Sequence, residues 1–417
     1  MASKNDGKKY DLVVFGATGF TGKLCCKYLA AHLQKPTWAM AGRSASRLAS
    51  TRSALSLADS VGVIEAQTDD YASLVRMTGQ ARVLVNIVGP FRPFKAEEVV
   101  RACIETDTHY VDLSGETGFN ADVIEKFHRQ AEAKQLVIAP SVGFDSLPFD
   151  LTTYLAVQEA KKLANGANVE LAECAYDLPP ALSAGTLASA ISMADEPEQM
   201  LPKRGDWLSP VSAPDSLSFK AAHYFPQRRR WGAQTAFTYH NTRMVMRTWG
   251  LLKHHASPAF FGDSFKYTEG FILPNRIVAT IVAYTGFVST WLLMNFALVR
   301  WIMSKSMKQN SGPSEKLQHS ARLRVETVAT AAGPDRKQAI CSLTAQGDGG
   351  YLLTSRMIVE TALTILEPNS QLTPLGNKGG VLTPAALGAD KLAQRLRDYA
   401  QFSIETSEFD PEAKKRK

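Results

Sequence analysis

The residues Asp11-Leu-Val-Val-Phe-Gly-Ala-Thr-Gly-Phe-Thr-Gly22 contain an apolar run followed by three evenly spaced glycines, Gly16, Gly19 and Gly22. A strand, a glycine-rich turn and a helix in this order form the phosphate-binding turn of dinucleotide-binding folds. The first glycine permits the tight turn, the second lets the backbone approach a pyrophosphate, and the third lets helix and strand pack closely. The start of the helix also offers N–H groups and a positive dipole end to the phosphate. This stretch therefore predicts dinucleotide binding.

The flanks of the turn favour the same interpretation. Tyr10–Phe15 is a short apolar run, as expected of a buried parallel strand. Leu24, Tyr28, Leu29 and Leu33 recur at helical spacing after the turn. A tight strand–helix turn without a ligand is the alternative. The residues of the turn predicted to contact the cofactor are Gly16, Thr18, Gly19, Phe20, Thr21 and Gly22.

The second predicted strand indicates which dinucleotide binds. Residues 37–41 are apolar and are followed by Gly42-Arg43-Ser44-Ala45-Ser46-Arg47. Sites that prefer NAD usually have a carboxylate here, which binds the ribose 2′-hydroxyl. A guanidinium beside a hydroxyl suits a 2′-phosphate instead, because the phosphate accepts charge-assisted hydrogen bonds. Arg43, Ser44 and Arg47 therefore predict NADP(H). The simpler interpretation, in which Ser44 caps the next helix, is compatible with this prediction.

Strands and helices alternate up to about residue 150. Further strands are predicted at 61–66, 83–88, 110–113 and 136–139, with helices at 95–105 and 120–135. This order predicts an α/β fold with a Rossmann-type, doubly wound parallel sheet. Ligands of such sheets lie outside the carboxyl ends of the strands. The fourth strand ends at Val88-Gly89-Pro90, where the turn would let the backbone approach the ribose or the nicotinamide.

Polar side chains near the predicted strand ends are candidates for a proton donor. Tyr110, Ser114 and Asp145 could serve, and nothing in the sequence selects one of them. Capping of the following helix is the alternative role of Asp145 and Ser146, and an ordinary surface position is the alternative for Glu116. No tyrosine has a lysine four residues later, which disfavours a Tyr-x-x-x-Lys short-chain dehydrogenase. The catalytic residues are therefore unassigned.

Length, charge and cysteine usage limit the class of protein. A chain of 417 residues with a net charge of +7 can form two or three domains. The five cysteines have neither metal-ligand spacing nor the pattern of a disulfide framework, so no metal site is predicted and a reducing compartment is favoured. The N-terminal residues are polar, without an apolar secretion segment. They predict a protein on the cytosolic side rather than a secreted one. The cysteines are Cys25, Cys26, Cys103, Cys174 and Cys341.

The middle of the chain is basic and aromatic. Residues 216–262 hold seven Lys or Arg and no Asp or Glu, with aromatic residues between them. No recognised nucleic-acid module accompanies them, so a nucleic-acid partner is not predicted. Basic and aromatic residues together suit an anionic lipid surface. An ordinary basic face of a substrate domain is the alternative.

Residues 277–299 follow as 23 residues without a charge. A helix that spans a bilayer needs about 20 mainly apolar residues, but five Ser, Thr and Asn residues weaken the segment as a lipid-exposed span. A buried helix or a homodimer interface is the alternative. Because globular patterning resumes after residue 320, one crossing would separate two parts of a single fold. The sequence therefore favours shallow attachment to a membrane surface without full crossing.

The ordered motifs resemble those of the saccharopine dehydrogenase-like oxidoreductases, relatives of the bacterial trans-acting enoyl reductases. The resemblance covers about residues 10 to 405. The motifs are Val13-Val-Phe-Gly-Ala-Thr-Gly-Phe-Thr-Gly22, Ala41-Gly-Arg-Ser44, Val88-Gly-Pro-Phe91, Tyr110-Val-Asp-Leu-Ser-Gly-Glu116, Gly143-Phe-Asp-Ser-Leu-Pro148, Gly347-Asp-Gly-Gly-Tyr351 and Gly379-Gly-Val-Leu-Thr-Pro384.

The resemblance implies four segments and an activity on lipids. Residues 1–150 would form an NADP-binding Rossmann domain, 151–345 an inserted substrate and membrane-associating domain, 346–405 C-terminal elements that return to the Rossmann domain, and 406–417 a basic tail. It also implies an oxidoreductase of lipid metabolism with an acyl, enoyl or glycolipid-pathway substrate. The expected location is the cytosolic face of a membrane, either the endoplasmic reticulum or a lipid droplet. The Lys414-Lys415-Arg416-Lys417 tail is a solvated charge run in the ordinary interpretation. The two lysines at the third and fourth positions from the end also resemble a retrieval signal of endoplasmic-reticulum membrane proteins, which applies only to a membrane-bound chain with a cytosolic tail.

Two functions remain open on the sequence alone. The first is an NADP(H)-dependent oxidoreductase that acts on a lipid at a membrane, in which the cofactor supplies the hydride chemistry. The second is a catalytically silent scaffold or redox sensor that binds NADP(H) on a lipid surface. Both need the nucleotide, so the glycine turn does not discriminate between them.

Overall fold

Short apolar runs joined by helices build the first sheet of the protein. The computed structural model describes residues 7–177, 189–191, 194, 205–213, 221–306 and 312–411. The first six strands are β1 (Tyr10–Phe15), β2 (Trp38–Gly42), β3 (Gly62–Glu65), β4 (Ala81–Asn86), β5 (His109–Asp112) and β6 (Val137–Ala139). They pair in parallel in the order β6-β5-β4-β1-β2-β3. This is the strand order of a Rossmann sheet, as predicted.

Helices cover both faces of this sheet. They are α1 (Phe20–Ala30), α2 (Ala45–Ala54), α3 (Tyr71–Thr78), α4 (Ala96–Glu105), α5 (Thr117–Lys134) and α6 (Leu147–Leu163). Within β1, Leu12 and Val14 belong to one apolar core, and Val13 and Phe15 belong to a second core on the other face. Because successive side chains of a strand point to opposite faces, a continuous apolar run places β1 between two layers of helices.

A second, mixed sheet follows α6. Its strands in chain order are β7 (Val169–Tyr176), β8 (His223–Phe225), β9 (Arg230–Ala233), β10 (Lys266–Leu273), β11 (Arg322–Ala331) and β12 (Gln338–Gln346). The helices of this region are α7 (Ala236–His254), α8 (Arg276–Asn295), α9 (Ala297–Ser306) and α10 (Glu315–Ser320). One of the two apolar cores is continuous from the first sheet to the second, so the sheets belong to one packed body.

The C-terminal part of the chain contributes one strand to each of the two sheets. After a π-helical turn (Gly349–Leu353) come α11 (Thr354–Ile365), a 3-10 turn (Asn369–Gln371), α12 (Pro374–Lys378), β13 (Gly380–Val381), α13 (Pro384–Asp398) and β14 (Ser403–Glu408). The strand β13 pairs with β6 as the seventh strand of the Rossmann sheet, and α11 packs on α1, β4 and β5. The strand β14 pairs with β12 instead, so the last strand covers an edge of the second sheet. Only Ile404 of β14 is buried against that sheet.

The uncharged segment 277–299 is divided between two helices. The backbone of Phe296 is extended and separates α8 from α9. Only Ala279, Ala283 and Leu293 of α8 are buried, whereas Ile277 is 73% exposed. By length and composition, α8 is the one helix within the described ranges that could cross a membrane. The helix is therefore not a core helix of this chain.

Candidate active site

The glycine turn between β1 and α1 has the shape of a phosphate cradle. Gly16 has a φ of +95°, a left-handed value that favours glycine. A Cβ atom added to Gly22 would lie 2.2 Å from the Gly16 carbonyl oxygen, so only glycine permits this contact between helix and turn. Gly19 stands at the N-cap of α1 and has no side chain to cap it. The N–H groups of the first turn are therefore left to a ligand, and an anion such as a pyrophosphate fits here.

The end of β4 lies against this turn. A Cβ atom on Gly16 would be 3.1 Å from Val88 Cγ2, so the two predicted segments meet at the carboxyl edge of the sheet. The N–H of Val88 donates to Asn86 Oδ1 over 3.1 Å, which fixes the backbone after β4. The peptide bond between Gly89 and Pro90 is cis.

The predicted 2′-phosphate residues follow β2. Ser44 is the N-cap of α2, and its Oγ accepts a hydrogen bond from the Arg47 N–H over 3.3 Å. The guanidinium groups of Arg43 and Arg47 are exposed and form no ion pair with any described residue. The capping role of Ser44 is thus confirmed, and both cations are available to a phosphate.

Glu116 fixes the loop that follows the Gly89–Pro90 turn. Its carboxylate accepts hydrogen bonds from the N–H groups of Phe91 (2.9 Å) and Arg92 (3.1 Å). The Ser189 hydroxyl donates to the same carboxylate over 3.0 Å. Glu116 is only 2% exposed, and burial raises the pKa of its carboxyl above the ordinary value. The alternative of a surface position is therefore wrong, and Glu116 positions the backbone beside the cofactor turn.

Tyr110 belongs to a buried network below the strand ends. Its hydroxyl donates to Asp112 Oδ2 over 2.8 Å and accepts from Asn86 Nδ2 over 3.0 Å. Asp112 also accepts from the N–H groups of Ser114 (2.8 Å) and Ser141 (2.9 Å). Burial raises the pKa of Asp112 to about 6. This network joins the ends of β4, β5 and β6, and it leaves the Tyr110 hydroxyl fully engaged.

The second domain reaches this network through α7. His240 Nδ1 lies 2.9 Å from Thr117 Oγ1, and its Nε2 lies 3.1 Å from Ser141 Oγ. The Asn120 amide donates to the same Ser141 hydroxyl over 2.7 Å. Burial lowers the pKa of His240 to about 3, so its imidazole is neutral. His240 therefore connects the two domains below the strand ends, and no local sequence signal indicates this contact.

The C-terminal motif around Gly347 packs against the start of α1, at one side of the candidate site. Asp348 accepts a hydrogen bond from the Tyr351 N–H over 2.9 Å, and the Tyr351 ring meets Phe20 edge to face at 5.6 Å. Thr354 Oγ1 accepts from the Phe144 N–H over 3.0 Å. The resemblance motifs thus converge on one edge of the Rossmann sheet, although they lie far apart in the chain.

A cavity of about 450 Å³ lies between the segment that follows β3 and the segment that follows β4. The residues that line it are Thr68, Asp69, Tyr71, Arg92, Lys95, Glu97 and Glu98.

The strand order, the glycine cradle and the exposed cations after β2 define a dinucleotide-binding domain of the Rossmann type. Comparison with known proteins gives the particular family. Residues 12–139 match the family model of the saccharopine dehydrogenase NADP binding domain. The human saccharopine dehydrogenase-like oxidoreductase is 30% identical over 437 residues, which cover 96% of this chain and 98% of that protein. The chain therefore belongs to the saccharopine dehydrogenase-like oxidoreductase family, and its cofactor is NADP(H).

Two further proteins extend this comparison. The trans-acting enoyl reductase of Mycobacterium leprae is 30% identical over 419 residues, which cover 94% of this chain and 96% of that protein. The apo saccharopine dehydrogenase (L-Glu forming) of Saccharomyces cerevisiae matches the structure with a TM-score of 0.51 at 11% identity, over 96% of this chain and 100% of that one. The yeast structure shows that the two proteins share a fold.

Proposed function

We propose that this protein reduces an acyl or enoyl lipid with NADPH while attached to a lipid surface. The observation that carries the proposal is an exposed apolar surface on the same domain as α7. Support for the substrate class comes from the relatives that are named trans-acting enoyl reductases. Saccharopine chemistry is not part of the proposal, because the yeast enzyme shares only the fold.

The apolar surface extends along α8 and α9. Its exposed residues are Ile277, Ile281, Tyr284, Phe287, Val288, Trp291, Leu292, Phe296, Leu298, Trp301 and Ile302. Contiguous apolar patches of this kind mark membrane or protein interaction sites. Cations flank it, since Arg276 lies over the Trp231 ring at 5.2 Å and Lys305 is in the last turn of α9. Apolar and aromatic side chains with basic residues beside them suit the interface of an anionic membrane.

The residues of the site have separate tasks in this reaction. When bound, NADPH supplies two electrons as a hydride. The turn from Gly16 to Gly22 would hold the pyrophosphate, and Arg43 with Ser44 would hold the 2′-phosphate. Glu116 keeps the backbone after Pro90 in place through its two hydrogen bonds.

The proposed location is the cytosolic face of the endoplasmic reticulum or a lipid droplet, with the lipid as the partner of α8 and α9. A second copy of the chain on the apolar surface is the competing occupant. The basic tail at 414–417, which resembles a retrieval signal, lies outside the described residues.

The reductase proposal is tested by turnover. Purified protein is incubated with NADPH and trans-2-hexadecenoyl-coenzyme A in anionic phospholipid vesicles, and NADPH oxidation is followed by absorbance. We expect NADPH oxidation with formation of the saturated acyl chain. Tight NADPH binding without turnover of enoyl or ketoacyl lipids would instead favour the scaffold or redox sensor.

The lipid attachment is tested by replacing Ile281 and Leu298 together with aspartate. Burial of one such side chain contributes about 1.5–3 kcal/mol, so we expect binding to phosphatidylserine vesicles to fall by about 100-fold or more. Co-sedimentation with vesicles measures this. The control is Leu33→Asp, which replaces a leucine that is 77% exposed in a different part of the chain and should bind vesicles normally. Unchanged vesicle binding of the double variant, or a dimer that dissociates in it, would contradict the lipid assignment.

A further inference from the structure

Reduction by a hydride also requires a proton. The sequence offers three candidate proton donors, and the structure shows that they differ in burial and hydrogen bonding. The Tyr110 hydroxyl is fully buried and bound to Asp112 and Asn86. The Ser114 hydroxyl is fully buried and accepts from the Glu116 N–H over 3.1 Å. Asp145 differs from both, because it is a half-buried residue whose carboxyl group has no hydrogen-bond partner among the described residues.

Asp145 lies where the ends of β5 and β6 meet. A Cβ atom on Gly115 would be 3.3 Å from Asp145 Oδ2, so the carboxyl group lies directly over the backbone that follows β5. The preceding residue, Phe144, is fixed by the hydrogen bond of its N–H to Thr354 Oγ1 and by edge-to-face contacts with Phe149 and Phe237. The carboxyl group is therefore carried on a rigid backbone.

The helix-capping role that the sequence allowed for this pair is wrong. Ser146 is the N-cap of α6, yet its side chain makes no capping hydrogen bond. Its Oγ is buried without a partner in the described part of the chain. A buried hydroxyl without a partner is costly, and it indicates a ligand or water at that point. Asp145 and Ser146 thus present two uncommitted polar groups side by side.

The strand order would place this pair beside the nicotinamide of a bound cofactor. Arg43 follows β2, so the 2′-phosphate and the adenosine of bound NADP(H) would lie over the β1-β2-β3 half of the sheet. The nicotinamide of a bound cofactor would then lie over β4, β5 and β6, where Gly89, Gly115 and Asp145 follow the strands. At this end of the site, Asp145 offers a carboxyl group that has no hydrogen-bond partner among the described residues.

We propose that Asp145 is the catalytic residue that supplies the proton of the reduction, an inference that rests on the proposed reductase function. Reduction of an enoyl double bond adds a hydride, taken from NADPH, at the β-carbon and a proton at the α-carbon. The O–H bond of the Asp145 carboxyl breaks, and the π electron pair of the double bond forms the new C–H bond. The products are the saturated acyl chain and NADP⁺, and the Asp145 carboxylate regains its proton from water.

The surroundings of Asp145 suit a proton donor near neutral pH. Burial raises the pKa of Asp145 to about 6, so its acid form persists to a higher pH than in an ordinary aspartate. The titratable groups on the elements packed around it are engaged elsewhere. Glu116 binds the N–H groups of Phe91 and Arg92, Asp150 binds Thr248 and the Ala385 N–H, Asp348 binds the Tyr351 N–H, and His240 binds Thr117 and Ser141.

The test compares Asp145→Asn with the natural protein. The amide keeps the size of the side chain and removes its proton, so kcat/KM with NADPH and trans-2-hexadecenoyl-coenzyme A should fall by about 10²- to 10⁴-fold. The Kd of NADPH should change by less than about 3-fold, since no cofactor contact is lost. In the natural protein kcat/KM should fall as the pH rises above about 6, and this dependence should be missing from the residual activity of the variant. Asp59→Asn is the control, because its carboxyl group is fully exposed.

An infrared titration of the NADP⁺-loaded protein tests the same group without turnover. The spectrum of Asp145→Asn is subtracted from that of the natural protein, which cancels the bands of other buried carboxyl groups such as Asp112. In this difference, the C=O band of one protonated carboxyl group should disappear between about pH 4 and about pH 8. The band should be absent from Asp145→Asn and present in Asp145→Glu. An unchanged kcat/KM in Asp145→Asn, or an Asp145 band that does not titrate in this range, overturns the proposal while the reductase function stands. A natural protein that binds NADPH but turns over no enoyl lipid contradicts the proposed function, and the infrared titration alone then decides whether Asp145 holds an exchangeable proton.

Discussion

Gly22→Ala should weaken NADPH binding by on the order of 10- to 100-fold. The added Cβ atom would lie 2.2 Å from the Gly16 carbonyl oxygen and 2.9 Å from Ala17 Cα. Backbone atoms cannot rotate away, so α1 must shift and the phosphate cradle must open. Overpacking of this kind costs about 1–3 kcal/mol, and each 1.4 kcal/mol corresponds to about a factor of 10 in affinity. Fluorescence titration with NADPH measures the effect.

Gly286→Ala is the matched control for this variant. Gly286 also lies within a helix, α8, and a Cβ atom there would have no neighbour within 4 Å. Both substitutions gain the helix propensity of alanine, about 1 kcal/mol, but only the one at residue 22 produces a clash. Gly286→Ala should therefore bind NADPH with normal affinity. Equal affinities of the two variants would show that the turn does not hold the pyrophosphate.

Arg43→Asp should discriminate between the two nicotinamide cofactors. A hydrogen bond to a charged group contributes about 1.5–3 kcal/mol, and the new carboxylate would also repel the 2′-phosphate. We therefore expect the affinity for NADPH to fall by about 100-fold or more. NADH lacks that phosphate, so its affinity should change by less than about 3-fold. Parallel titrations with the two cofactors measure the ratio.

The same change of charge at Arg129 controls for the net charge of the protein. Arg129 is exposed on α5, away from the residues that follow β2. Arg129→Asp should leave both affinities unchanged. If Arg43→Asp weakened NADPH and NADH equally, the 2′-phosphate would have to be bound elsewhere.

The fold of the first 150 residues could be predicted because its signals are local. The glycine spacing, the apolar runs and the helical periodicity each lie within a few residues, and the strand order β3-β2-β1-β4-β5-β6 follows from them. The capping role of Ser44 is local in the same way. Local patterns therefore predicted the Rossmann sheet and the cap of α2.

The catalytic side depends on contacts that are distant in the chain. The sequence allowed a surface position for Glu116, because it does not show the contacts that bury this residue. The partners of its carboxylate, Phe91 and Arg92, follow a different strand. His240 showed no signal, since its contacts with Thr117 and Ser141 exist only when α7 packs on the Rossmann domain. The role of Asp145 could not be predicted from the sequence either. An aspartate just before a helix can cap that helix or can have a carboxyl group without a hydrogen-bond partner. In each case the deciding quantity is a tertiary distance.

The interleaving of the two sheets has a consequence for the synthesis of this protein. The Rossmann sheet is completed by β13, at residues 380–381, and the second sheet by β14, at residues 403–408. Domains usually fold as units, the N-terminal one first, while the ribosome is still translating. Here neither sheet is complete until almost the whole chain has been translated. The edge of β6 therefore remains unpaired during translation until β13 has been synthesised. We therefore expect the nascent chain to depend on chaperones that shield strand edges, and a truncated Rossmann segment ending near residue 150 to aggregate.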